Sequence, residues 1–136
     1  MIPVTATDWR CVPSERNMSF VMRLKSAIWV GAYIRRCHGE GAFAAVRRRG
    51  AEEAGAIFIK LNRLDGTAEL FGPAPQSAFE EASPSDRAFI RSLGDAPVPE
   101  AKVEERIGKE VRFDPDAWII EVEDRGGRHF LERVVT

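Results

Sequence analysis

The hydrophobic pattern changes its period several times along the chain. From Met22 to about Cys37 the spacing is helical: Leu24, Ala27, Ile28, Gly31 and Ala32 share one side, and Val30, Ile34 and Cys37 widen the stripe. This predicts a helix pressed onto a sheet. Arg35, Arg36 and His38 fall in its last turn, where cations suit the negative end of the macrodipole, and Gly39 is placed for a left-handed cap. A short strand-like run, "AFAAVRRRG", follows at residues 42–50. Two further strands are predicted at about 55–62 and 67–72. In the first, Ile57, Ile59 and Leu61 alternate with Phe58, Lys60 and Asn62, the period of a sheet with a core face. Asp65-Gly66 between them is a hairpin signal, because both residues tolerate positive φ, and "GPAP" stops the second strand.

Residues 73–98 carry two patterns. Ser83, Pro84 and Gly94 punctuate a helix, yet Ala88, Ile90 and Ser92 alternate with Phe89, Arg91 and Leu93. A strand over about 87–93 continues the meander and is the preferred reading of segment 84–93. From Pro99 to Arg112 the helical period returns with Val103, Ile107 and Val111, ended by Asp114-Pro115. The chain closes on a strand whose Trp118, Ile120 and Val122 face the core while Ile119, Glu121 and Glu123 face away. "DRGG" then predicts a turn back into "RHFLERV". Neighbouring strands with helices at the ends imply an α+β fold: a single-layer, mostly antiparallel sheet of about four to six strands, with two main helices packed on one face.

At 136 residues and 15.2 kDa one domain is expected, spanning 22–136, and 44% apolar with 30% charged residues is enough for a core without disulfide staples. Residues 1–21 show no sustained period and read as a loosely held N-terminal extension, with Trp9 tucked onto the body, or as a misannotated start ahead of Met18 or Met22. The apolar stretch "SAIWVGAYI" follows Arg23 and Lys25, as in a signal peptide. It stops at Arg35-Arg36, has no cleavage site and is too short for a bilayer, so no membrane association is expected. Cys11 and Cys37 lack any C-x-x-C spacing. A buried thiol at Cys37 and a reducing, cytoplasmic location are the simplest reading.

Charge adds an asymmetry. Residues 1–50 hold nine Lys/Arg against three Asp/Glu, and residues 51–136 eleven against eighteen. The basic set is Arg35, Arg36, His38, Arg47, Arg48 and Arg49. Arg35, Arg36, Arg47 and Arg49 are its candidate polyanion-binding residues, provided that they meet on one uncompensated surface. Strand alternation would put Arg47 and Arg49 on one side and Arg48 on the other. The hairpin residues Asn62, Arg63 and Asp65 are a candidate loop contact, although Asn62 and Asp65 also have the chemistry to shape the turn. Asp114, Asp116, Glu121, Glu123 and Asp124, followed by His129, suggest a metal-assisted hydrolase, yet glutamates alternating with Ile and Val also write an exposed sheet face. Cys11, Cys37, His38 and His129 match no familiar zinc spacing, and the sequence has no glycine-rich phosphate loop, nucleophile elbow or H-E-x-x-H. No catalytic, cofactor-binding or metal residue is therefore assigned, and no cofactor is expected.

The blocks "MRLKSAIWVGAYIRRC", "GAFAAVRRRG", "GAIFIKLNRLDGTAELFGPAPQ" and "RFDPDAWIIEVEDRGGRHFL" resemble, in order and spacing, a small bacterial family of α+β proteins, domain of unknown function family 1491. The likeness spans about residues 22–131 and omits the extension. It implies no activity, cofactor or partner, and no functional residue carries over. The leading expectation is a non-catalytic domain acting through a protein partner or a homodimer, with binding of nucleic acid or another polyanion, and metal-assisted hydrolysis, as alternatives.

Overall fold

The computed structural model describes residues 25–75 and 87–135. The N-terminal extension, Trp9, Cys11 and the Ser83-Pro84 pair lie outside the described residues.

The first helix, α1, runs Ser26–Gly39. Its start is held by the buried Ser26 hydroxyl, which donates to the Gly55 carbonyl at 2.7 Å. Its end is a Schellman closure: the Ala42 amide donates to Cys37 O and the Gly41 amide to His38 O, both at 3.0 Å. The left-handed residue this closure needs is Gly41, with φ 89°, and not Gly39, which stays in the helix. Strands β1 (Phe43–Arg48), β2 (Ile57–Asn62) and β3 (Thr67–Pro73) follow close to their predicted limits. The β2–β3 corner differs from a two-residue hairpin: Leu64 and Gly66, not Asp65, take positive φ, and the Arg63 amide donates to Thr67 O. The chain continues through β4 (Phe89–Arg91), β5 (Val98–Pro99), helix α2 (Glu100–Phe113), β6 (Trp118–Glu123) and β7 (Val134–Val135). The alternation at residues 87–93 is thus expressed as strand, reduced to three residues.

All seven strands form one sheet in the order β1-β6-β2-β3-β4-β7, with β5 also paired to β3. Four pairings are antiparallel; β2 with β6 and β4 with β7 are parallel. The α+β class and the mostly antiparallel sheet therefore hold. The turn after β6 does not lead back onto that strand. Both edges of β6 are already taken, by β1 and β2, so the tail crosses the sheet and adds β7 beside β4.

The layering also departs from the expectation of both helices on one face. The alternating residues of β2 separate cleanly: Ile57, Ile59 and Leu61 join Trp118, Ile120 and Val122 under Trp29, Val30, Tyr33 and Cys37 of α1. Phe58 joins Ala68, Leu70 and Ile119 under Val103 and Ile107 of α2. One helix covers each face. The second apolar row, short and broken by Lys60 and Glu121, reads in sequence as a solvated face, whereas it is the seat of α2. Burying side chains such as Ile107 and Leu70 contributes about 1.5–3 kcal/mol each, enough to retain a single amphipathic helix there.

Candidate functional site

Two charged clusters stand on the sheet, one per face. Beneath α2, Lys60 extends from β2 with 2% of its side chain exposed. Its ammonium donates to Glu100 Oε2 at 2.6 Å and to Glu104 Oε2, and lies 3.6 Å from Glu121 Oε2. Glu100 and Glu104 sit one turn apart on α2. Glu121 is brought to Lys60 by the parallel β2–β6 register, which pairs these two residues. Arg47 closes the cluster from β1: Nη1 and Nη2 donate to the two Glu104 oxygens at 2.7 and 3.0 Å, a bidentate clasp. Asn62 Nδ2 reaches both Glu100 and Glu121 at 3.3 Å. The Arg47 hydrogen bonds, aided by Lys60, hold the Glu104 carboxyl at about 2 against the desolvation that opposes this. Burial works against the Lys60 charge, yet the carboxylate bonds outweigh it and its pKa is raised. A lysine so held stays protonated and is no nucleophile. The cluster anchors α2 to the sheet.

The other cluster lies on the α1 face, at the corner beyond the helix. Arg63 continues the inward parity of Leu61, Glu69 precedes Phe71 on β3, and Arg91 is the cross-strand partner of Phe71. Glu69, nearly buried, accepts from Arg63 Nη1 at 3.0 Å and Arg91 Nε at 3.4 Å. The Arg91 guanidinium lies 5.3 Å from the Phe71 ring centroid, and the His129 imidazole meets the same ring edge-on at 5.2 Å. The Leu131 amide donates to His129 Nδ1 at 2.9 Å, which leaves the ring proton on Nε2. Burial, reinforced by the Arg91 charge and opposed by Glu69, holds this imidazole below its ordinary pKa.

The predicted candidates disperse around these clusters. Arg36 spans to the tail, donating to Phe130 O at 2.6 Å and to Glu132 at 3.4 Å. Arg47 belongs to the Glu104 clasp. A register slip between Val46 and Arg48 breaks the alternation there, so Arg48 donates to Pro115 O while Arg49 lies 5.1 Å over the Trp118 ring. Arg35 is exposed on α1, and His38 Nε2 is 3.0 Å from the Ala44 carbonyl. In the hairpin, Asn62 Oδ1 accepts from the Leu64 amide and Asp65 Oδ1 from the Thr67 amide, so both shape the turn, while Arg63 reaches Glu69. Glu121, Asp124 and His129 do not converge: Glu121 faces α2, Asp124 pairs with Arg128 at 2.9 Å, and His129 meets the Phe71 ring edge-on. Among the described residues no group of three or more His, Cys, Asp or Glu is gathered as metal ligands would be. Cys37 is a free, buried thiol, and no described helix is long and apolar enough to cross a membrane.

The second cluster left a trace in the sequence. Arg63, Glu69 and Arg91 occupy the same strand parity as Leu61, Phe71 and Phe89, so each is a charged residue at a core-facing position. Glu100 and Glu104 left none, because i, i+4 glutamates on an amphipathic helix normally face water.

Three comparisons bear on kinship. A family model described as a protein of unknown function (DUF1491) matches residues 24–132. A crystal structure of a DUF1491 family protein from Caulobacter crescentus CB15 shares 38% identity, covering 84% of this chain and 99% of that one, with a TM-score of 0.69. The solution structure of a protein from A. tumefaciens shares 40% identity over 82% and 96% of the two chains, with a TM-score of 0.66. Among curated proteins, none matches. With the family match, the open sheet and its two helices all in agreement, this chain belongs to the DUF1491 family of proteins of unknown function.

Proposed function

We propose that the protein acts in the cytoplasm through protein contacts, and that its principal contact is a second copy of itself joined along β1. The supporting observation is an unguarded sheet edge. Strand β1 ends the strand order, and its Phe43 and Val46 are 56% and 41% exposed. Open edges carrying apolar side chains are templates for another strand, and proteins that stay monomeric usually block them with charge or proline. Here the charges stand at one end, Arg47 and Arg48, and Arg47 is neutralised by Glu104 and Glu121.

Antiparallel pairing of two β1 strands about Ala45 sets Phe43 against Arg47 of the other copy and keeps like charges apart. It exchanges the Ala44–His38 contact for a ladder bond. Polyanion binding has less support, since Arg36 and Arg47 are engaged with protein oxygens and Arg49 with an aromatic ring. Sedimentation velocity across micromolar concentrations tests the reading. A dimer that Val46→Glu and Phe43→Glu each convert to monomer is expected. A strict monomer throughout, or a dimer indifferent to both substitutions, rejects it.

A further inference from the structure

We propose that the corner of the α1 face around Arg91, His129 and Arg63 binds the carboxylate group of a small organic acid. This proposal is independent of self-association. Its floor is the Phe71 ring, fully buried, with Arg91 and His129 both resting on it at 5.3 and 5.2 Å. Its brace is Glu69, which fixes both guanidinium groups but consumes little of their capacity. Arg91 meets Glu69 through Nε, so among the described residues its two Nη groups have no hydrogen bond. The Leu131 amide takes His129 Nδ1, which leaves the proton on Nε2, and that Nε2–H has no hydrogen bond among the described residues.

The donors are preorganised. Tyr33 Oη donates to His129 O and Arg36 Nη1 to Phe130 O, each at 2.6 Å, which pins the tail in place. The tail also lies against Arg63: a Cβ built at Gly127 would come within 2.2 Å of Arg63 Nη1. Ordering these groups before a ligand arrives removes much of the entropic cost of binding.

Charge selects the ligand class. Two guanidinium groups face the single Glu69 carboxylate, and the nearby Asp65 spends its hydrogen bonds on Thr67. With the ionised Asp65 near Arg63 counted, the corner is close to neutral, so its free donors suit a monoanion better than a phosphate dianion. The planar carboxylate also matches the Arg91 fork, with His129 Nε2–H as a third donor.

The test is an NMR titration of the full-length labelled chain with lactate, against chloride at matched ionic strength and against inorganic phosphate. Saturable shifts of the His129 ring and the Arg91 Nε–H signals at millimolar lactate are expected. Arg91→Gln should weaken binding at least tenfold while Arg35→Gln leaves it unchanged. Because Arg63 still holds Glu69 in Arg91→Gln, the fold should survive. Should it not, Arg91→Lys keeps the charge without the fork and should lose binding comparably. Shifts that only follow ionic strength, phosphate binding more tightly than lactate, or an Arg91 variant that binds like the native chain would each overturn the proposal.

Discussion

Lys60 keeps a full charge under a helix, and what happens on its removal follows from its partners. Lys60→Met preserves most of the apolar stem but leaves three carboxylates, with only Arg47 and Asn62 to hold them. Breaking a buried pair costs about 3–5 kcal/mol when the remaining charge stays dry. Glu100 and Glu104 are 40% and 39% exposed, so water takes up much of the loss, and we expect about 2 kcal/mol at pH 7 by urea denaturation. Part of this should return at pH 5, where the crowded carboxylates of the variant can gain a proton. Glu104 sets the acid behaviour of the native protein. Its folded pKa, about 2, lies below its ordinary 4.5, so its contribution is complete above pH 4.5 and is lost as the pH falls toward 2. Glu104→Gln should flatten the dependence of the urea midpoint on pH across that window; an unchanged slope would contradict the clasp. Lys60 has the opposite sign, its raised pKa costing stability only in strong alkali. None of this network was legible residue by residue, because Lys60 and Asn62 alternating with Ile59 and Leu61 look like any solvated strand face.

At the scale of the element, the helices and strands were legible wherever the period was long. Helix α2 and strands β2, β3 and β6 fall within a residue or two of the limits read from alternation and i, i+4 spacing. The errors came where short-range signals compete with long-range ones. "DRGG" is sound turn chemistry, yet the strand it was expected to extend has no free edge. Gly39 is a plausible cap, but the closure needs the glycine two residues later. The side on which α2 packs was invisible for a different reason: a two-faced sheet shows its second apolar row as only Phe58, Ala68, Leu70 and Ile119. Because α2 rests on so few side chains, Ile107→Ala should be costly for its size, about 2–4 kcal/mol, while the half-covered Val111→Ala should cost under 1 kcal/mol. Chemical denaturation of the two variants checks the contrast, and equal losses would mean that α2 is seated elsewhere.

For the whole molecule, the α+β class followed from the order of elements, but the path through the sheet did not. Two strands adjacent in sequence pair readily in a meander, as β2, β3 and β4 do, whereas β6 lies between β1 and β2, strands more than fifty residues earlier. Nothing in "WIIEVE" distinguishes a central strand from an edge strand except that its outward Ile119 is apolar. The candidate corner at Glu69 had the same difficulty, since it joins strands and a tail that approach only once the sheet is complete. The interior place of β6 bears on how the chain is made. During synthesis β1 and β2 leave the ribosome with a strand-wide gap between them and exposed ladder groups on both sides. No native sheet can close until residues 118–123 have emerged, so a chain cut after Phe113 should remain sticky and open to proteolysis, and the living cell must shelter an unfinished seam while the whole stretch between β2 and β6 is translated.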